Sequence, residues 1–254
     1  MKTAIFITVR VDSSRLPNKA MKKILGIPVI EHVINRAKLA NNFDCIVVCT
    51  TERQIDDQVV EIAEKCDVHI YRGSLEDKLE RWNSAAQKYG IDYIVTFDGD
   101  DLFCDPYLLD QGAVQIRESG LDFIELPPGM ICGAFTYALS SKALAKACEV
   151  KATNDTEMMW SYFKDTGLFK TGYLAVTEDI YFDDRYRLTL DYPEDFVFFT
   201  RVFEHFNCIN NDVPLKEIIA YFRENPEIPQ INMGRQQEFL DNQRKKTKLI
   251  LKNK

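Results

Sequence analysis

Thr8-Val9-Arg10-Val11-Asp12-Ser13-Ser14-Arg15-Leu16-Pro17-Asn18-Lys19 decides how this chain of 254 residues is read. The apolar run from Ile5 to Val9 predicts a first β-strand, and the loop leaving it carries Arg10, Ser13, Ser14, Arg15 and Lys19. Three fixed cations and two hydroxyls so close together can surround a polyanion. In an open α/β sheet, ligands collect in the crevice beyond the carboxyl ends of the strands, where such a loop sits. Phosphate suits it, because guanidinium groups clamp oxygens in pairs and lysine adds a compact charge. The same composition also fits a solvated surface loop with an ordinary charge cluster.

Outward from that loop, strand and helix patterns alternate. Residues 4–9, 45–49, 68–71 and 93–97 read as strands. Helical periodicity marks 28–40, 55–66 and 75–89, and Asp105-Pro106 opens a further helix that reaches Ser119-Gly120. This alternation predicts an α/β fold with a mainly parallel sheet flanked by helices. After Gly120 the rhythm changes. Strands are expected at 123–126, 134–139, 169–176 and 186–190, and helices at 141–150 and 155–164. Residues 121–185 therefore read as an α+β excursion within a single domain, 1–254. The helix 196–206 is apolar nearly all round, which predicts burial on several sides, at a subunit interface for instance. Residues 235–254 form a basic tail, read as a solvated, frayed C-terminal helix.

Composition narrows the functions. Hydrophobic residues make up 46% of the chain, enough for a substantial core, and the net charge of -7 argues against general nucleic-acid binding. No N-terminal signal pattern and no membrane-length apolar run is present, so a soluble, cytoplasmic protein without a membrane partner is expected. The seven cysteines are scattered without a C-x-x-C pair and read as reduced apolar fillers. The three histidines form no i,i+4 metal pair, and a histidine-centred triad is not expected.

Carboxylates gather at two further strand ends. Phe97-Asp98-Gly99-Asp100-Asp101 places acids in the same crevice as the cationic loop. Mg²⁺ prefers oxygen ligands, commonly one or two carboxylates plus substrate phosphates, so an acidic strand end facing a basic loop is a coherent metal–triphosphate site. An Asp/Gly turn that merely ends the strand explains the same residues. Arg187-Leu188-Thr189-Leu190-Asp191-Tyr192-Pro193-Glu194-Asp195 ends a predicted strand at Asp191 and opens a helix. Helix capping accounts for its acids as well. At Tyr71-Arg72-Gly73-Ser74-Leu75-Glu76-Asp77, Ser74 is a candidate N-cap with Asp77 three residues on.

Together these motifs resemble a known family. R-x-x-S-x-R-L-P-x-K, followed by Gly26-Ile27-Pro28 and a helical run, is similar to the cytidylyltransferases that activate sugars and sugar acids. These include CMP-acylneuraminate and CMP-Kdo synthetases, with the spore-coat polysaccharide biosynthesis protein F branch most alike. The resemblance implies a Rossmann-like nucleotidyltransferase sheet and an excursion that covers the acceptor and makes a homodimer contact. It implies that Arg10, Ser13, Arg15 and Lys19 hold the CTP phosphates, with Ser14 and Asp98 beside them. Arg72 is implied as a base or phosphate contact. Asp100, at the family's G-D step, and Asp191, in R-L-T-L-D-x-P-E-D, are implied as Mg²⁺ ligands. Arg10, Arg15, Lys19 and Asp100 are the catalytic candidates. Relatives usually carry glycine where this chain has Asp12 and Asn18. Both are residues that tolerate left-handed backbone, though Asp12 brings negative charge towards a triphosphate.

The function expected is transfer of CMP from CTP to a sugar acid or phosphorylated small molecule, with release of pyrophosphate, in surface-glycan precursor synthesis. Asp98-Gly99-Asp100 is also a D-x-D, which keeps a metal-dependent glycosyltransferase open. The cationic loop is more than such an enzyme requires. A non-catalytic nucleotide-binding relative is the third reading.

Overall fold

A computed structural model describes residues 1–252. Its first strand, β1, Thr3–Thr8, lies in the interior of the sheet, and Ala4 to Ile7 are wholly buried. Strand side chains alternate between faces. Ile5 and Ile7 accordingly join one core layer, while Ala4 and Phe6 join the other.

A small antiparallel pair, β2 (Lys23–Ile24) and β3 (Ile27–Pro28), leads into α1 (Val29–Ala37). Next come β4 (Cys45–Thr51), α2 (Asp57–Lys65), β5 (His69–Gly73), α3 (Lys78–Tyr89), β6 (Tyr93–Asp98) and α4 (Pro106–Glu118). The excursion supplies β7 (Phe123–Glu125), β8 (Tyr137–Ser140), α5 (Ser141–Val150), α6 (Trp160–Lys164) and β9 (Thr171–Tyr173). The chain continues through α7 (Pro193–Phe206), α8 (Leu215–Glu224), α9 (Glu227–Met233) and α10 (Gln236–Lys246). The strand order is β5-β4-β1-β6-β8-β7-β9. β5, β4, β1 and β6 run parallel, β8 is antiparallel to both β6 and β7, and β9 is parallel to β7. Helices α1, α2, α4, α7 and α8 cover the Ile5 face, and α3, α5 and α6 cover the Phe6 face. This is the mainly parallel, helix-flanked α/β sheet expected, and the excursion adds its strands to that sheet instead of forming another.

Several local expectations are corrected. Residues 186–190 are not a strand. They make one isolated bridge, Cys132 to Arg187, and two anchoring bonds in which the Leu188 and Leu190 amides donate to the Cys132 and Asp100 carbonyls (both 2.8 Å). Only the end of the predicted helix 155–164 is helical. Thr156 is pinned upstream: its hydroxyl donates to Asp77 (2.9 Å) and accepts from the Leu79 amide (3.0 Å). α3 begins at Lys78 because Asp77 is its N-cap, accepting from the Glu80 amide, while Ser74 accepts from Asp77. The predicted strand 169–176 shrinks to β9, an edge strand of three residues.

The basic tail is not a frayed, solvated helix. α10 lies against the crevice, with Phe239 under the Arg187 guanidinium at 4.3 Å. Beyond α10 the Ala152 amide donates to the Ile250 carbonyl (2.8 Å) and the Lys252 amide to that of Val150 (2.9 Å). Residues 253 and 254 of that tail lie outside the described residues. In α7, Phe198, Phe199, Val202 and Phe203 are buried within the chain. Phe203 stacks on Phe103 at 5.1 Å and Phe198 meets Phe222 at 5.4 Å, whereas Val197 faces solvent.

The parallel register sets Thr8 of β1 beside Asp98 of β6, so both strands end at one level. Gly99 makes their close approach possible. Its amide donates to the Thr8 carbonyl at 2.9 Å, and a Cβ there would lie 2.8 Å from Val9 Cβ. Gly99→Ala should therefore destabilise the fold by about 1–3 kcal/mol through overpacking. A melting temperature within experimental error of wild type would show that the two loops separate freely.

Candidate active site

Beyond β1 the loop is held by its own chain. The Val9 amide donates to the Cys49 carbonyl (3.2 Å), and the Val11 amide donates to the buried Asp56 carboxylate (2.7 Å). Asn18 takes the left-handed conformation (φ 56°), which asparagine tolerates better than most residues. It opens a short turn, Lys19–Met21, that buries Ala20 and leads Lys19 inward. Asp12 has no positive φ. Its exposed carboxylate accepts from Arg53 at 2.9 Å, and this ion pair holds it below the usual carboxylate range.

Lys19 lies at the centre of the crevice. Its ammonium donates to Asp100 Oδ2 (2.5 Å), the Leu190 carbonyl (2.9 Å) and Asp191 Oδ1 (3.0 Å). Arg15 donates to the same Asp191 oxygen at 2.5 Å and lies over the Tyr192 ring. The other Asp191 oxygen accepts from Arg187 at 3.0 Å. Arg187 is wholly buried and also donates through Nε to Asp195 at 3.1 Å. Asp195 completes the arrangement by accepting from the Asp191 and Tyr192 amides, both at 2.8 Å.

The charges respond to these contacts. Burial alone would depress the Lys19 ammonium, but Asp100 and Asp191 outweigh it and raise its pKa. Burial also works against Asp191 ionising, yet Lys19, Arg15 and Arg187 hold its carboxyl well below the usual range. Asp100 goes the other way, raised by burial and by Asp191 and Asp98 against the pull of Lys19. Asp101 is raised further by burial, Asp100 and Asp98. Cys132 is pushed up to about 12 by burial and Asp101, an inert thiol.

The cavity around these groups measures about 440 Å³ and is lined by Arg10, Ser13, Ser14, Arg15, Lys19, Asp98, Asp100 and Asp191 among others. The structure thus brings together every predicted site residue except Arg72. That side chain turns away, donating to the Thr51 and Arg53 carbonyls (both 3.0 Å) and pairing with Asp57 at 2.7 Å, so it ties β5 to the neighbouring loop. Asp98 and Asp100, the D-x-D acids, face different cations: Asp98 accepts from Lys78 at 3.2 Å.

Other wall residues were not singled out from the sequence. Lys78 and Arg81 come from the first turn of α3, and Glu157 from the loop before α6. Glu157 accepts from Arg10 (3.3 Å) and from Lys246 of α10 (3.4 Å). Lys78 leaves a usable signal, since a cation in the first turn of a helix opposes the helix dipole. α10 leaves almost none, because Phe239 and Leu240 are its only large apolar residues.

The cytidylyltransferase family model matches residues 4–206. The chain belongs to the cytidylyltransferase family. It is accordingly a CTP-dependent nucleotidyltransferase. Spore coat polysaccharide biosynthesis protein SpsF of Bacillus subtilis is 25% identical over 231 residues, 87% of this chain and 94% of that protein. 3-deoxy-manno-octulosonate cytidylyltransferase 2 of Hydrogenovibrio crunogenus is 35% identical over 164 residues, 63% of this chain and 60% of its own. The solved structure of a cytidylyltransferase from Leptospira borgpetersenii aligns with a TM-score of 0.82 at 27% identity, covering 91% of this chain and 97% of that one. No described helix of this cytidylyltransferase is long and apolar enough to cross a membrane.

Arg187→Met leaves Asp195 and one Asp191 oxygen without their buried cation, and should cost about 3–5 kcal/mol in a denaturant melt. Asp101 has a native pKa above its unfolded value, so its ionisation opposes folding at neutral pH and not in acid. Asp101→Asn should raise the melting temperature at pH 7, and the gain should fade as pH drops to about 3, below the ordinary aspartate pKa. A gain independent of pH would contradict this assignment. Asp191 has the opposite sign: its stabilisation is full above the ordinary aspartate pKa and is lost in stronger acid.

Proposed function

We propose that this cytidylyltransferase transfers CMP from CTP to a sugar acid, releases pyrophosphate and uses Mg²⁺ held by Asp100 and Asp191. The observation that carries the reading is the convergence of Lys19, Arg15, Asp100 and Asp191 at the carboxyl ends of β1 and β6. Sugar acid as the acceptor class follows the 3-deoxy-manno-octulosonate cytidylyltransferase of Hydrogenovibrio, and SpsF points to a place in surface-polysaccharide synthesis.

The donor set fits the metal. Around the Lys19 ammonium stand Asp100 Oδ2, Asp191 Oδ1 and the Leu190 carbonyl, three hard oxygens already arranged about a cation. Among the described residues no cluster of three or more metal-binding side chains exists, consistent with a site completed by substrate phosphate. When bound, the metal would supply Lewis-acid polarisation of the phosphate oxygens.

The protein groups supply the rest. Arg10, Arg15 and Lys19 neutralise the β- and γ-phosphates, with Ser13 and Ser14 as hydroxyl donors, and they stabilise pyrophosphate as it leaves. The acceptor hydroxyl gives up its proton to a nearby carboxylate and forms its bond to the α-phosphorus while the α–β bridging bond breaks in line, the pyrophosphate leaving with that bond's electron pair. Catalysis is then positioning and fixed charge, and no covalent protein nucleophile is required. The segment 121–185 would enclose the acceptor together with α10, in one domain that works as a homodimer.

A thermal-shift panel of CTP, UTP, GTP and ATP with Mg²⁺ tests the nucleotide. At a hundred times its dissociation constant a ligand adds about 2.7 kcal/mol, roughly 5–10 °C for a chain of this size. CTP alone should give that shift. Asp100→Asn should lower pyrophosphate release about 10²-fold or more, as expected when one preorganised charge-stabilising group is lost. Turnover near that of wild type would remove Asp100 from the site.

A further inference from the structure

Lys19 and Arg15 are cations proposed to serve the triphosphate, yet in this structure both are engaged by carboxylates. Asp191 separates two kinds of partner. Its Oδ2 is held by Arg187, which is buried and locked in place by Asp195, Gln236 and the Phe239 ring. Its Oδ1 is shared by Arg15 and Lys19, whose side chains keep 27% and 15% of their surface open to the cavity. Asp100 meets Lys19 through Oδ2. One fixed arginine therefore holds Asp191 in position, and two cations that the cavity can reach occupy the oxygens a metal would need.

From this we infer that the Lys19 ammonium is the resident cation of the Asp100–Asp191 site in the nucleotide-free protein, and that nucleotide and metal enter by exchange. This rests on the function proposed above. The triphosphate draws Lys19 and Arg15 off the carboxylates, and the divalent ion takes their place on Asp191 Oδ1 and Asp100 Oδ2. Charge makes the two moves depend on each other. Drawing off both cations without a metal leaves the half-buried Asp100 without a cation and the buried Asp191 with Arg187 alone, which is costly. Placing a metal while Lys19 remains sets two cations on the same oxygens. Each ligand must then favour the other, as linkage requires. Lys19 therefore has two successive posts, first filling the metal position and then binding phosphate.

The exchange is tested without nucleotide, by counting free Mn²⁺ by electron paramagnetic resonance as Mn²⁺ is titrated into wild-type protein and variants. This separates it from chelation by CTP and from the function assignment, which the CTP thermal shift tests on its own. Wild-type protein should bind Mn²⁺ no tighter than about millimolar, as for weak oxygen sites. Lys19→Met should bind at least about tenfold tighter, a difference of 1.4 kcal/mol, and adding Asp100→Asn should remove the gain. The inference is overturned if Lys19→Met binds Mn²⁺ no more tightly than wild type. If Lys19→Met does not fold, the same comparison is made with Lys19→Gln. The wild-type titration is decisive by itself in one direction: Mn²⁺ bound at tens of micromolar without nucleotide, and lost in Asp100→Asn, would show that Lys19 does not hold the position.

Discussion

Arg187 and its two aspartates are the constraint on which the site depends. A guanidinium and a carboxylate without solvent contact persist only when they satisfy one another. Here the pair also satisfies the backbone, because Asp195 accepts from the amides of Asp191 and Tyr192 at the head of α7. Asn232 of α9 donates both to Asp195 (2.9 Å) and to the Arg187 carbonyl (3.1 Å), and Gln236 and Phe239 of α10 close over the guanidinium. One ion pair thus fixes a helix start, two later helices and the orientation of Asp191. The capping and ligand readings of this motif divide between residues: Asp195 caps the helix, and Asp191 faces the crevice with its position already set.

The parallel half of the sheet was legible because two periodicities alternate there without interruption, and each strand is short, apolar and followed by a turn. The site was legible for the same reason. Charged residues clustered at two strand ends must meet when those strands are neighbours in register, as β1 and β6 are. Legibility ended where hydrogen bonds to distant residues decide the conformation. Residues 186–190 alternate like a strand, but their amides are claimed by Cys132 and Asp100, so no ladder forms. Arg72 sits in a motif that resembles the family's, yet the Thr51 and Arg53 carbonyls hold its side chain at the end of β4, and it does not line the cavity. The basic, terminal character of residues 235–254 points to a solvated helix, and with two large apolar residues α10 shows no stripe to oppose that reading. Its contacts are amide–guanidinium, ring–guanidinium and ion-pair interactions, for which periodicity has no signature.

The departures from the usual glycines divide in an informative way. Asn18 stands where the backbone is left-handed, and asparagine replaces glycine there at small cost. Asp12 replaces glycine where no left-handed residue is found, so its reason is not conformational. Its carboxylate meets Arg53, which is also within 3.7 Å of the buried Asp56 that holds the loop through Val11. The added negative charge is therefore compensated within the protein. It ties the cationic loop to the segment after β4.

The end of the cavity proposed for the acceptor is built differently from the end proposed for the nucleotide. Met130, Met158, Trp160, Phe239 and Leu240 supply apolar and aromatic surface, with Tyr137, Asn242 and Gln243 as polar groups among them. Glu125, Tyr137, Trp160, Leu240 and Gln243 also border an outer cavity of about 540 Å³, so the inner chamber continues outward past α10. The family model ends at residue 206, before α8, α9 and α10. The groups proposed to work on the triphosphate all fall inside the matched stretch, whereas α10, which lines the proposed acceptor end, falls outside it. The proposed chemistry of one end can therefore be kept while the other end is altered, because separate parts of the sequence build the two ends of one cavity.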